Sequence, residues 1–311
     1  MALTEFFRDV AIKNAPKQAV MVDALTEEAP ILSGLPIEAA SHGLSNVYEE
    51  VSEIDAGDIV DLDEALPSVN ANSELHQTDL SVLGGKIKVG EDKAKKYGGA
   101  PVYFAKKMPS ILRSTGNAME SGLFYNNFRA YASANSNLID GGGSSDVNYT
   151  FMCVHYVPGE VTGLYDADGF GNGKVFDLKP INGGEIYEDS DGVIVYGLRM
   201  KTYFGIQLAN ARYVSGIVNN DITNDAPAGT RTFATQTMMD DMILQARGAV
   251  GTTFIYCHPK AKAYLGSIYK LDKLQLVNGD NQVNSVVDAW NGIPIIGTYN
   301  VLNGTETDVT V

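Results

Sequence analysis

Residue types that do chemistry are present in this sequence, but seldom at the spacing that chemistry requires. The most suggestive run is Asp166-Ala-Asp-Gly-Phe-Gly-Asn-Gly-Lys-Val-Phe-Asp177. It places carboxylates at the first, third and twelfth positions of a calcium loop and glycine at the sixth. Phe170 stands where the fifth position needs an oxygen ligand, and the usual bidentate glutamate is missing, so a glycine-rich turn is the better reading. Gly169, Gly171 and Gly173 miss the dinucleotide-binding spacing and lack a P-loop Lys-Ser pair. His42, His76, His155 and His258 stand singly, without an H-E-x-x-H pair or a cysteine at ligand spacing. Gly43-Leu-Ser-Asn-Val47 lacks the final glycine of a nucleophile elbow. Glu49 with Glu50, and Asp240 with Asp241, are adjacent carboxylates that diverge on either a strand or a helix and so read as solvated charges. Cys153 and Cys257 are too few for a disulfide framework and read as buried thiols. No catalytic residue, cofactor site or metal ligand is assigned. An enzyme would have to be a carboxylate-dependent, carbohydrate-active one with convergent acids near Asp166 to Asp177.

Composition narrows the function further. The chain has 311 residues, 44% of them hydrophobic, enough for a sizeable core and for two domains. Its net charge of -15 argues against a surface that grips nucleic acid, which needs clustered Lys and Arg. Nothing near Met1 has the pattern of a signal peptide and no apolar run reaches membrane-spanning length, so synthesis in a cytoplasm and no membrane partner are expected.

The elements that would carry any site are unusual. Pro109 to Ala134 predicts a long helix, with Ile111, Leu112, Thr115, Ala118, Met119, Gly122, Leu123, Phe128 and Ala132 on one face and Arg113, Asn117, Glu120, Asn127 and Arg129 on the rest; Pro109 suits its first turn. Residues 1–45 have no period that would give them a core, and read as an arm. Val47 to Val51, Ile59 to Asp63 and Leu75 to Leu83 predict an extended two-stranded excursion, marginal by itself and in need of a neighbour to dock on. Gly141 to Ser145 reads as a flexible break. Tyr149 to Val157 reads as a strand buried on both faces, and Val193 to Leu208 as a long strand with one wet face. Thr235 and Pro259 open two helices around the strand Thr253 to Cys257; a polar loop around Asn278 to Asn281 and a strand after Trp290-Asn-Gly follow, giving a small α/β end.

Six phrases in order along nearly the whole chain carry a resemblance: Glu27 to Pro36, Leu83-Gly-Gly85, Val161-Thr-Gly-Leu-Tyr165, Tyr203 to Val218, Phe254-Ile-Tyr-Cys257 and Asn291-Gly-Ile-Pro-Ile295. The chain resembles the major capsid proteins of tailed bacteriophages, the Hong Kong 97-type shell fold. The resemblance implies an α+β subunit with an N-arm at 1–45, an extended β-hairpin loop at 46–90, a peripheral domain with spine helix and long strands at 91–230, and an axial α/β domain at 231–311. In the commoner arrangement of that fold the axial elements come before the long peripheral strands; here Val193 to Val218 comes first. Implied partners are further copies in hexamers and pentamers, a separate scaffolding protein, a portal and a decoration protein. The implied location is the virion shell, enclosing double-stranded DNA without sequence-specific binding. Ile59, Leu62, Leu66 and Leu75 are the expected inter-subunit contacts. With its lysines, Lys86 and Lys88, confined to its base, the hairpin is expected to form no isopeptide crosslink. A decoration or tail tube protein is the other structural reading, though it has little use for a spine helix.

Overall fold

The computed structural model describes residues 29–61, 65–143, 147–166, 177–223, 232–269, 271–277 and 283–311. Pro30–Gly34 (α1) is a short helix with proline in its first turn, followed by strand β1, Ile37–Ala39. This end of the expected arm lies on its own chain: Ala29, Ile31, Leu32 and Leu35 are buried, and β1 pairs in parallel with β7 (Val161–Tyr165). Residues 1–28 of the expected arm lie outside the described residues.

Next comes an antiparallel hairpin of β2 (Ser45–Ile54) and β3 (Ala71–Asp79). Two expectations change here. Residues 59–61 form no strand, while residues 62–64 lie outside the described residues. The expected strand Leu75 to Leu83 breaks at Leu80, so that β4 (Ser81–Gly90) leaves the hairpin and pairs along β10 (Ile194–Leu208). Gly84 makes this pairing possible, because a Cβ there would lie 2.3 Å from the Met200 carbonyl oxygen.

Helix α2 (Glu91–Lys96) leads into α3 (Ala100–Gly122), a π-helical segment Leu123–Arg129 and α4 (Ala130–Ala134). The long helix therefore exists but differs from the expected one in three ways. It starts at Ala100, where Pro101 takes the first-turn position, and Pro109 lies inside it. It is not uninterrupted, since the π segment breaks the α ladder. Its buried row is Phe104, Met108, Leu112, Gly116 and Glu120, so Glu120 lies on the buried face and not on the polar one. Proline favours a first turn, and two prolines eight residues apart offered two starts; only the i, i+4 row from Phe104 selects the earlier.

Two sheets flank the helix. The first has the order β1-β7-β10-β4, with β8 (Asp177–Pro180) and β9 (Tyr187–Glu188) also paired to β10. Val89, Leu198 and Met200 of this sheet form a core with Phe104, Met108 and Leu112 of α3. The second sheet has the order β13-β14-β15-β12-β6-β11-β5. Its strands are β5 (Leu138–Asp140), β6 (Asn148–His155), β11 (Val214–Asp221), β12 (Thr253–Cys257), β13 (Asp272–Val277), β14 (Val283–Trp290) and β15 (Ile293–Gly297). As its continuous apolar run requires, β6 is central and buried on both faces. On one side it meets Phe124, Phe128 and Ala132 of the long helix; on the other it meets α5 (Gln236–Gln245) and α6 (Pro259–Ile268). The Thr235 hydroxyl caps α5 by accepting the Met238 N–H at 3.2 Å.

This second sheet draws β5, β6 and β11 from before residue 230 and its other strands from after it. Of the expected flexible break, residues 144 and 145 lie outside the described residues, while Gly141 and Gly143 are tied down by backbone hydrogen bonds they donate to Val218 and Asn219, each at 2.8 Å. The expected loop at Asn278 to Asn281 falls outside the described residues; the strands on either side of it, β13 and β14, were not anticipated.

Candidate interaction surface

Among the described residues, the chemically suggestive ones form no metal-holding cluster. Of the run from Asp166 to Asp177, residues 167–176 lie outside the described residues; Asp166 is buried, and Asp177 pairs with Lys179 and Arg199 on the first sheet. No group of three or more His, Cys, Asp or Glu able to hold a metal occurs among the described residues. His258 caps α6, its Nδ1 accepting the Lys260 N–H at 3.1 Å. Asp240 is more than a solvated charge: it accepts hydrogen bonds from Trp290 Nε1 and Asn291 Nδ2, both at 2.8 Å, and so fixes the turn before β15. Cys153 and Cys257 are free and fully buried, and burial pushes both thiols up to about 12.

What the fold does present is a surface. The base of the hairpin is closed by Leu80 N, which donates to the Leu44 carbonyl at 2.9 Å, and is fastened to the body by the Asn46 side chain, which donates to Gln207 on β10. Along its length, Tyr48 stacks on His76, whose Nε2 lies 3.3 Å from Glu50. Beyond that, its apolar side chains meet no core. Ile59 is 99% exposed, Leu66 79% and Leu75 76%. Leu62, the fourth expected contact, lies outside the described residues. Sequence reading missed Val51, Ile54 and Val69 as exposed apolar groups of the same hairpin. Their signal was available, since Val51 and Ile54 stand in a strand with no second apolar layer. At the hairpin root, Val82, Met119, Leu123, Tyr131, Phe204 and Ile206 help to line a groove of about 640 Å³.

Two buried carboxylates brace the body beneath this surface. Glu120, fully buried, accepts the Ile31 N–H at 3.1 Å with one oxygen; with the other it accepts the Thr298 hydroxyl and, at 3.2 Å, Asn300 Nδ2. It thereby ties α1, the long helix and the chain after β15 to one point. Burial raises its pKa above the ordinary glutamate range, against the pull of those donors. Glu306 accepts from Tyr125 at 2.7 Å and from the Thr150 hydroxyl, with Arg129 3.3 Å away, and so holds the C-terminal stretch to the π segment and to β6.

Comparison with known proteins bears on this arrangement. A family model described as "Major capsid protein GP7" matches residues 13–310. No curated protein matches. Among solved structures, the chain is similar to that of bacteriophage Epsilon15, with a TM-score of 0.60 at 16% identity over 88% of both chains. It is also similar to the capsid of bacteriophage JBD30, with a TM-score of 0.50 at 10% identity over 86% of this chain and 88% of that one. The JBD30 capsid decorated with minor capsid protein trimers gives a TM-score of 0.51 at 10% identity, covering 87% and 90%. At such identities the likeness speaks for the fold.

Proposed function

The chain belongs to the major capsid protein GP7 family, and from that membership we propose how its surfaces serve the shell. Its role is structural: it is a major capsid protein of the tailed-phage type with a Hong Kong 97-type fold, a shell-forming subunit of the virion. We assign the first sheet with α2 and α3 to the peripheral domain and the second sheet to the axial domain. This moves β5, β6 and β11 to the axial side and replaces a boundary at residue 230 with an interleaved one.

The observation that carries the assembly reading is the hairpin. A pair of strands whose apolar side chains are exposed and whose root alone is fastened has no stability of its own to offer. Its residues Ile59, Leu66 and Leu75, with Leu62 beside them in sequence, serve as contacts to neighbouring subunits in hexamers and pentamers. A scaffolding protein, a portal and a decoration protein are the further partners in this reading; the JBD30 capsid offers the parallel of a shell decorated with minor capsid protein trimers. The enclosed cargo is double-stranded DNA held without sequence readout, consistent with a chain at -15. No catalytic activity is assigned to it. Negative-stain microscopy of the full chain, alone and coexpressed with a scaffolding protein, tests the proposal: closed shells or capsomers are expected, and a protein that stays monomeric under both conditions would refute it.

A further inference from the structure

Six of the 23 cations of the chain fall between Lys93 and Met119, a stretch without a carboxylate. The net charge of -15 averages over this stretch and hides it. Helix geometry gathers part of it on one face. Lys106, Ser110 and Arg113 recur at i, i+4 and i+7, with Lys107 and Ser114 beside them. All five are exposed, on the side of α3 turned away from its buried row Phe104, Met108 and Leu112. Lys93 of α2 joins this strip, because its Nζ lies 5.6 Å from the centroid of the Tyr103 ring, one turn before Lys107. Of the carboxylates that flank the stretch, Glu91 lies 2.7 Å from Lys95 and Glu120 is buried among its donors, which leaves Asp92 next to Lys93 in sequence.

We propose that this cationic strip of α2 and α3 takes the phosphate backbone of the duplex that the shell encloses. The inference rests on the shell-forming reading and deepens it by naming the surface that meets the cargo. Lys and Arg in a row neutralise phosphates whatever the base sequence, and serine hydroxyls between them donate to phosphate oxygens. From Lys106 to Arg113 the strip runs about 10 Å at about 1.5 Å per residue. Over that length a duplex presents about six charges, one per about 1.7 Å of its axis, enough to engage every cation of the strip. An acidic segment of a partner protein is the other polyanion such a strip could meet. It fits less well, because protein partners are anchored by apolar and aromatic side chains buried at the centre of the contact. Of the large apolar side chains of α3 the exposed one is Val102, at 37%.

The test titrates the full chain, as soluble subunit, against a short labelled duplex of mixed sequence and follows fluorescence anisotropy from low to near-physiological salt. The wild type should bind at low salt, with a slope of log Kobs against log salt of about -3 to -4 for about four phosphates neutralised. Lys106→Gln, Lys107→Gln and Arg113→Gln together should leave the subunit folded by circular dichroism, lower the affinity at low salt at least about tenfold and flatten the slope by about 2–3. Lys86→Gln, Lys179→Gln and Arg199→Gln, an equal loss of charge on the first sheet, should leave affinity and slope near those of the wild type. Should the triple variant of α3 fail to fold, Lys106→Gln alone should flatten the slope by about 1. Four results would overturn the proposal: a wild type that binds no duplex at low salt, α3 variants that bind as the wild type does, a first-sheet variant that loses as much, or α3 variants that keep their DNA affinity but no longer assemble with a coexpressed scaffolding protein, which would assign the strip to an acidic partner segment. A wild type that binds duplex but forms no shells would instead count against the shell-forming reading.

Discussion

The hairpin β2–β3 and the central strand β6 are built from similar β-prone residues and have opposite fates. Every residue of β6 from Asn148 to Val154 is buried, between β11 and β12 within the sheet and between helices above and below. In the hairpin, Val51, Ile54 and Leu75 are exposed. The difference lies in what the rest of the chain supplies. Around β6, α5, α6 and the long helix cover both faces, so its side chains stabilise the subunit. No element of the described chain covers the hairpin, and its apolar side chains stay exposed.

Removing a side chain from the covered region should break that contrast most sharply. Phe151 is fully buried in β6, edge-on to Phe233 with ring centroids 5.7 Å apart. Phe151→Ala should cost about 3–5 kcal/mol of subunit stability, read from urea midpoints, and a loss under 1 kcal/mol would show that the sheet core collapses around the gap.

Glu120 comes next, because it is the brace between regions. Glu120→Ala strands the Ile31 N–H, removes the acceptor of the Thr298 hydroxyl and should cost about 2–4 kcal/mol. The pH dependence has a definite sign. A carboxyl whose folded pKa is raised contributes its stability fully below its ordinary value near 4.5 and loses it as pH climbs through the raised value. Measured from pH 4.5 to 8, the stability of the wild type relative to Glu120→Gln should therefore fall with rising pH. A difference that stays flat or grows would mean that the three donors, and not burial, set its protonation.

Substitution in the hairpin should have the smallest effect on the subunit. Ile59→Asp and Leu75→Asp should each change folding stability by no more than about 0.5 kcal/mol, while capsomers or shells are lost from gel filtration and micrographs. An unfolded Leu75→Asp chain would show that the hairpin belongs to the fold after all.

The same contrast explains what could be read from the sequence. Wherever burial is periodic or continuous, the residues announced it: β6, β10, the cap at Thr235 and the start of α6 at Pro259 all stand where their patterns place them. The long helix was recognisable, but its start was shifted by Pro109, because a proline reads as a first turn whether or not the helix has already begun. Glu120 was invisible as a core residue, since its burial depends on donors 89 and 180 positions away at Ile31 and Asn300. The candidate surface was legible as a region and less so residue by residue. Val154 stands in a continuous apolar run and Val51 among Glu49, Glu50 and Glu53, so the sequence separated the two regions, but which apolar residues of the hairpin stay exposed depends on where the covering helices lie. Register hides neighbours in the same way: Lys86, Lys179 and Arg199 are scattered in sequence and stand side by side across β4, β10 and β8.

The π-helical segment Leu123–Arg129 has a consequence for how relatives of this chain can drift in length. A π turn holds one residue more than an α turn, and such segments interrupt α-helices as single-turn insertions. Here the wider turn sits where Leu123, Phe124 and Phe128 all enter the core, and α4 continues beyond it with Ala132 still buried. Because the wider turn takes up its extra residue locally, deleting one residue from it would restore a regular ladder and leave α4 near its present phase, with Ala132 still toward the core. The same deletion in the α-helical part would turn every later residue by about 100°. The π turn is thus the point of the helix where a residue can be lost with the least disturbance of the contact between the helix, β6 and the C-terminal stretch.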